Sequence, residues 1–278
     1  EIYTRLLWFF EGFTSYYDDL LLLRAGLIDE ARYLKLLAKT ITGVLSTPGR
    51  KVQSVAQASF DAWVKYYRSD ENTPNATVSY YTKGSLVALA LDLSLRSSSK
   101  GTLDDVMRAL WATSEGGPVT EADIAAALSE AAGRPMDQEL AAWVHGTDDL
   151  PLESLLAEAG IQWRTEPPTA AQRLGLRVSE TALTGVQVKA VLRGGAGEQA
   201  GLCAGDELIA VNGWRLRRLD DVALVAAPGA GFDLLVSRDQ RIVPLQMPAA
   251  TGTGAVSLAP AEKCARGALA LRRAWLAH

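Results

Sequence analysis

The sequence predicts an α plus β protein of more than one domain: a helical first part, a smaller β part and a closing helix. Three observations carry that expectation. Up to about residue 160, apolar residues recur at three- and four-residue spacing, bounded by capping residues and glycines. From about residue 174 to 246 the pattern changes to short alternating runs separated by glycine-bearing turns. Between them, Glu166-Pro167-Pro168 reads as a linker, so the parts are drawn as 1–165, 166–250 and 251–278.

The first helix is built around Leu6 to Leu20. Leu6, Phe10, Phe13, Tyr17 and Leu20 share one face by spacing, and Trp8, Glu11, Ser15 and Asp18 share another. Glu11 is thus a carboxylate in an apolar, aromatic run. An unpaired charge there is expensive, so an Arg, a Lys, a free helix N-terminus or a metal cation is expected to offset it. Gly26 suits the helix end and Asp29 the next N-cap, opening a helix over 29–46 that Pro48-Gly49 stops. Ser54 starts a helix to about Arg68 with Val55, Phe60, Trp63, Val64 and Tyr67 as core candidates, and 69–76 reads as a loop.

Residues 77–97 form the second long helix, capped by Thr77 or Ser79. Tyr81, Ser85, Leu89 and Asp92 share one of its faces. Gly84 costs about 1 kcal/mol relative to alanine, which suits close packing on another helix. The plain reading of Tyr80 and Tyr81 is two half-buried rings with hydroxyls facing solvent. Short helices follow over 102–113, 120–132, 135–145 and 151–159, with capping words at Thr102 and Thr120, Pro135 in a first turn and Gly133, Gly146 and Gly160 at ends. His145 reads as a hydrogen-bonded or cationic histidine at a helix C-terminus. Trp163 sits in an expected strand.

In the β part, Leu174 to Val178 leads from a loop into a strand, and Val186, Val188 and Val191 lie on the next. Glu198 to Ala200 reads as one helical turn, Leu208 to Val211 as a strand, and Asn212-Gly213 as a tight hairpin turn. Leu219 to Ala226 is an expected helix, and Phe232 to Ser237 with Arg241 to Gln246 an expected hairpin. The glycine-rich run 193–205 lacks the Gly-Lys-Ser/Thr ending of a phosphate loop. Residues 249–259 read as a flexible connection and Glu262 to Leu276 as a final helix.

Composition narrows the function classes. With 48% hydrophobic and 22% charged residues the chain is globular, and a net charge of -4 gives no general attraction to nucleic acid or anionic lipid. No apolar run is long enough to span a bilayer, and no secretory signal is visible. Two cysteines, Cys203 and Cys264, make no disulfide framework. The two histidines, His145 and His278, are not at metal-ligand spacing, so this chain does not fill a zinc site alone. The sequence names no compartment.

The words LLWFFEGFTSYYDDLLLLRAG and VSYYTKGSLVALALDLSLR resemble the glycyl aminopeptidase family of bacterial zinc metallopeptidases. The later string Ala-Gly-Leu-x-x-Gly-Asp-x-Leu-Ile-x-Val-Asn-Gly, from Ala200 to Gly213, resembles a PDZ domain. Together these cover nearly the whole chain. The resemblance implies the all-helical C-terminal half of a thermolysin-like (gluzincin) catalytic domain, followed by a PDZ β-sandwich or barrel and a C-terminal helix.

It further implies that Glu11 matches the third zinc ligand, with Ser15 and Asp18 along its face holding that ligand in place. Tyr81, in Tyr81-Thr82-Lys83-Gly84, matches a catalytic tyrosine whose hydroxyl donates to the oxyanion, with Tyr80 as alternate. The family's H-E-x-x-H, which brings two histidine ligands and the general base, is absent here. The chain therefore reads as the C-terminal part of a longer zinc aminopeptidase that releases glycine or alanine from peptides. Alone it is expected to hold no zinc and to hydrolyse nothing. In the PDZ domain, Leu174, Gly175 and Leu176 best match the loop that receives a peptide's terminal carboxylate. The same domain packed inside its own enzyme and binding nothing is the other reading. Two rivals to the enzyme stand beside it. One is a peptide-binding PDZ module on a helical scaffold. The other is an interaction fragment that forms a homo-oligomer through an uncovered helical face.

Overall fold

The computed structural model describes residues 3–98, 101–227 and 229–276. Its helical part comprises α1 (Leu7–Arg24), α2 (Glu30–Leu45), α3 (Val55–Phe60), α4 (Thr73–Ala76), α5 (Tyr80–Ser98), α6 (Leu103–Ser114), α7 (Glu121–Ala132), α8 (Asp137–Leu140) and α9 (Leu152–Glu158). Next come β1 (Ile161–Thr165), α10 (Ala170–Leu174), β2 (Leu176–Thr181), β3 (Gly185–Val191), α11 (Ala196–Gln199), β4 (Glu207–Val211) and β5 (Trp214–Arg215). The chain closes with α12 (Val222–Val225), β6 (Phe232–Arg238), β7 (Arg241–Met247), β8 (Val256–Pro260) and α13 (Arg266–Leu276). The predicted fold class therefore holds: helices first, a PDZ-like β part, a final helix.

The fold is organised by the crossing of α1 on α5. A Cβ built on Gly12 would lie 2.7 Å from the Gly84 backbone, and one built on Gly84 would lie 2.7 Å from the Trp8 carbonyl oxygen. Two glycines face each other, so the backbones touch where side chains would hold them apart. This is the close packing that Gly84 led us to expect. The crossing also sets which face of α1 is buried. Trp8, Phe9, Phe13, Tyr16 and Leu20 go inside, while Phe10 stays exposed. The spacing had grouped Phe10 with Phe13 on one face and Trp8 with Glu11 on another. The buried stripe is centred on Gly12 instead, because the narrowest residue must face the partner helix.

A buried polar chain ties the far ends of these helices to α13. The Trp275 indole N–H donates to Tyr16 Oη (2.9 Å), and Tyr16 Oη donates to Asp92 Oδ2 (2.7 Å). Asp92 Oδ1 accepts from Arg96 Nε (2.8 Å) and from the Leu103 N–H (2.9 Å) that opens α6. Arg96 Nη1 then donates to the Ala274 carbonyl (2.7 Å). Asp92 is fully buried, yet both oxygens are satisfied and a guanidinium neutralises it, the condition under which a buried charge is tolerated. Burial, then the Asp92 charge, pushes the Tyr16 phenol far above its ordinary range. Trp275 is completely buried in the helical core, so the last helix is part of that core.

The β part has the strand order β2-β3-β4-β6-β7, all neighbours antiparallel, with β5 paired to β4. Asn212 (φ 49°) and Gly213 (φ 79°) make the expected tight turn, and Asp239-Gln240 make another between β6 and β7. Asp206, fully buried, accepts from Arg238 Nε and Nη2 (2.7 Å each) and from the Cys203 N–H (2.8 Å), pinning the Gly-Asp turn to the end of β6.

Four local expectations need correction. The helix from Ser54 ends at Phe60, and residues 61–68 form turns that leave Phe60, Val64 and Tyr67 exposed. Pro135 precedes α8, which opens at Asp137 and widens into a π turn at Ala141–His145. The 219–226 helix is a 3-10 turn, Leu219–Asp221, followed by the single turn of α12. Residues 249–259 are not a loose connection. β8 pairs antiparallel with β1, and the Val256 N–H donates to Thr42 Oγ1 (2.9 Å). A Cβ on Gly252 would fall 2.6 Å from the Gln172 carbonyl oxygen, and one on Gly254 would overlap that of Glu166. These glycines permit close backbone contact, which composition alone reads as flexibility.

Replacing Gly84 by alanine should cost about 3 kcal/mol in urea unfolding, because backbone stands on the other side of the new methyl. Gly43→Ala, with nothing within 4 Å of the added atom, should instead stabilise by roughly 1 kcal/mol.

Candidate functional site

The glycine crossing places the segment before Gly12 against the first turn of α5. Glu11 lies on that segment and Tyr81 on that turn. Glu11 is half-buried, less enclosed than the sequence suggested. Among the described residues no Arg or Lys forms an ion pair with its carboxylate, and it lies beside the first turn of α5. The negative charge instead reaches the Tyr81 phenol and helps to raise it. Ser15 Oγ donates to the Glu11 backbone carbonyl (2.8 Å), which leaves the carboxylate untouched, and Asp18 is exposed.

Tyr80 and Tyr81 differ sharply. Tyr80 is buried and its hydroxyl donates to Tyr67 Oη (3.2 Å), whereas Tyr81 is half-exposed. Their rings lie 4.6 Å apart, and the Tyr66 ring stands 5.0 Å from Tyr80 and 5.8 Å from Tyr81. Hydrogen bonding with Tyr67, then partial burial and the Glu11 charge, push the Tyr81 phenol up to about 12. Burial foremost, with the Tyr67 hydroxyl next, drives Tyr80 higher still. Both phenols therefore keep their protons at neutral pH and act as donors. Sequence reasoning missed that Tyr66 and Tyr67 stand against this pair because it laid Tyr67 along a helix. A second Tyr-Tyr pair across a proline-bearing loop from Tyr80-Tyr81 was the available signal.

Lys83, in the same Tyr-x-Lys-Gly word, is also buried. Its Nζ donates to the Arg50 carbonyl (3.4 Å) at the end of the Pro48–Lys51 turn. Burial is the main cause that pulls its ammonium down to about 8. His145 forms a hydrogen bond with Glu121 at the end of the π turn, as a helix-terminal histidine was expected to.

Whether these residues suit a zinc ion is a question of donor count. A catalytic zinc takes three protein ligands. Glu11 offers one carboxylate free of protein cations. Among the described residues no three His, Cys, Asp or Glu side chains converge to hold a metal. The donors present fit one corner of such a site.

In the β part, Leu174 ends α10 and Leu176 begins β2, both buried. Gly175 between them is left-handed (φ 67°). Its N–H turns back onto the Gln172 carbonyl (3.4 Å), and its carbonyl accepts from the Leu192 N–H (2.8 Å). The outer side of β2 is a sheet edge. Beside α10 lies an apolar hollow walled by Arg173, Leu174, Val222, Ala226, Phe232 and Ala250. The β part is fastened to the helices by Asn75 of α4, whose side chain donates to the Val191 carbonyl (2.8 Å) and accepts from the Arg193 N–H (2.9 Å).

Two family models match the chain. Residues 1–87 match the M61 glycyl aminopeptidase family, and residues 162–228 match the PDZ domain. The crystal structure of an aminopeptidase N family protein from Idiomarina loihiensis superposes over 99% of this chain, with 31% identity and a TM-score of 0.88. The chain spans 49% of that protein's length. The PDZ domain of HtrA3 bound to a phage-derived ligand matches over 36% of this chain and 93% of its own, at 17% identity and a TM-score of 0.25. A serine endoprotease from Yersinia pestis matches over 39% of this chain and 34% of its own, at 20% identity and a TM-score of 0.23. None of the curated proteins compared matches. The resemblance read from the sequence stands: a peptidase-family segment comes first and a PDZ module follows. Among the described residues no helix is long and apolar enough to cross a membrane.

Lys83 gives this site a measurable signature. An ammonium whose folded value, about 8, lies below its free value of 10.5 makes the folded state gain stability as pH rises. That gain is complete above the free value and is lost as pH falls through the folded one. Chemical denaturation of the wild-type chain should show stability from this group rising from pH 8 to 10.5, and Lys83→Met should abolish the rise.

Proposed function

We propose that this chain is the C-terminal part of a zinc-dependent aminopeptidase that releases small N-terminal residues, glycine or alanine, from peptides, and that its PDZ domain binds a peptide end. The observation that carries the reading is the juxtaposition of Glu11 and Tyr81 across the Gly12–Gly84 crossing. A carboxylate free of protein cations stands beside a phenol that holds its proton.

Glu11 supplies the third zinc ligand, and the two histidines and the general base come from a segment outside this sequence. Zinc, when bound, polarises the scissile carbonyl and lowers the pKa of its water to about 7. Tyr81, half-exposed, donates its hydroxyl proton in a hydrogen bond to the oxyanion that forms at that carbonyl. Such a donor lowers the barrier because it is already oriented and costs no reorganisation. Tyr80, buried behind it, backs the ring. Ser15 fixes the helix turn that carries Glu11 through the Glu11 backbone carbonyl. Asp18, exposed, is left without a part.

In the PDZ domain the free edge of β2 accepts the peptide as an added strand. The hollow beside Leu174 takes a small apolar terminal side chain, and Arg173 on its rim complements the terminal carboxylate. The 174–176 segment forms the head of this groove; its Gly175 N–H serves the helix cap.

With the upstream segment restored, Tyr81→Phe should keep zinc and lower kcat about a hundredfold on glycyl amides. Glu11→Gln should lose both metal and turnover. The 278-residue chain by itself should release no product. Full zinc occupancy and full turnover in Glu11→Gln would refute the assignment.

A further inference from the structure

The groove assigned to a peptide end has two ends, and only the one at Leu174–Leu176 has a task so far. With the terminal carboxylate at the start of β2, an added peptide strand runs antiparallel to β2. β2 holds six residues, Leu176–Thr181, each rising about 3.3 Å, so a bound peptide reaches the far end of the strand with roughly its sixth residue. The structure fixes what stands there. The Glu180 side chain accepts from the Leu219 N–H (2.9 Å), so the end of β2 meets the start of the 219–225 groove wall. Just before that wall the chain reads Trp214-Arg215-Leu216-Arg217-Arg218. β5 pairs with β4, and the Leu216 N–H donates to the Ile209 carbonyl (2.8 Å), which pins this arm to the sheet. Leu216 is buried, whereas Arg215, Arg217 and Arg218 are exposed. Arg215 and Arg217 wall a hollow together with Thr181 and Leu183 of the β2–β3 turn and Glu207 of β4.

The acids around these arginines have other partners or stand apart. Glu180 serves the Leu219 N–H, with Arg218 Nε 3.9 Å away. Asp221 accepts from the Arg218 backbone N–H (3.0 Å). Glu207 is half-buried in the wall of the hollow, and Asp220 is exposed on the 3-10 turn. Among the described residues none of these acids forms an ion pair with Arg215 or Arg217. Two guanidiniums therefore stand unpaired by protein carboxylates at the end where a bound peptide leaves the groove. We propose that this PDZ domain selects peptides with acidic residues upstream of their small apolar end, Arg215 and Arg217 receiving carboxylates near the fifth and sixth positions from the terminus. This rests on the groove reading under the proposed function and extends it from the terminal residue to the sequence before it. An apolar hollow beside Leu174 suits many chain ends. A guanidinium binds a carboxylate through paired N–H donors in a fixed geometry, so the arginine end adds the discrimination. Both arginines spring from an arm held by sheet hydrogen bonds and a buried leucine, which keeps their backbone in place when no ligand is bound.

The test uses the 278-residue chain and fluorescently labelled octapeptides ending in valine, read by polarisation. One peptide carries glutamate at the fifth and sixth positions from its end, one lysine and one alanine, and each is also made with an amidated terminus. The glutamate peptide should bind about tenfold tighter than the lysine peptide at low salt, and the margin should shrink as salt rises past about 0.15 M. Arg215→Glu combined with Arg217→Glu should reverse that preference and leave the alanine peptide within about twofold of its wild-type affinity. Equal binding of the glutamate and lysine peptides by the wild-type chain overturns the proposal. A preference for glutamate that survives the double charge reversal overturns it too. Should the double variant lose the alanine peptide, its fold is damaged, and the wild-type margin with its salt dependence decides alone. The groove reading fails in a different way: amidation costs no affinity, or no free-ended peptide binds. Selection by the arginine end then falls with it, whereas loss of charge preference alone leaves the groove reading standing.

Discussion

The contact of Gly12 with Gly84 is the constraint on which the remainder depends. Two helices can approach to backbone contact only where neither carries a Cβ, and among the described residues that occurs between the two longest helices. The meeting point fixes rotation as well as distance. It turns Trp8, Phe13 and Tyr16 into the core, leaves Phe10 outside, and sets Glu11 beside the first turn of α5. The proposed site, one carboxylate and one phenol from different helices, needs that precision. A slip of one residue at the crossing would rotate Glu11 by about 100° about its helix.

Two acids of this helix pair, Asp92 and Glu11, illustrate opposite ways of living with an enclosed charge. Asp92 is fully enclosed and fully partnered: a guanidinium, a phenol and a backbone N–H share its two oxygens. It is closed chemistry, and it holds α1, α5, α6 and α13 together. Glu11 is half open and, among the described residues, has no basic side chain paired with it. Structural acids are expected to look like the first. An acid left like the second, next to a protonated phenol, remains available to a ligand.

Three ties between the β part and the helices are seen among the described residues. Asn75 of α4 imitates a strand partner for the end of β3, Arg177 of β2 donates to Thr47 Oγ1 (3.1 Å), and the strap after β7 returns through β8 to bury Trp275 among the helices. Ala250 of that strap also walls the apolar hollow beside α10. The same stretch of chain therefore touches the groove at one end and the helical core at the other. Asn75 in turn sits five residues before Tyr80.

Much of this was legible in the linear chain, and for a physical reason. Helix caps, tight turns and glycine punctuation are local: Thr102 and Thr120 cap their helices through aspartates three residues on, and Asn212-Gly213 turns a hairpin, because each needs only its neighbours. The two long aromatic helical words, and the Gly-Asp word of the PDZ domain, likewise carry their identity in order alone. Spacing could nominate Glu11 and Tyr81 but could not say that the charge of one reaches the phenol of the other, nor that Glu11 is only half-buried. The departure of residues 61–68 from a helix, the inward turn of the Tyr67 hydroxyl and the return of 249–259 as a strand lay outside its reach. Those depend on partners far along the chain: a tyrosine pair on another helix in one case, β1, α2 and backbone carbonyls that only glycine can approach in the other. Local free energies of a fraction of a kcal/mol chose the elements, whereas long-range packing, worth several times more, chose which faces of them matter.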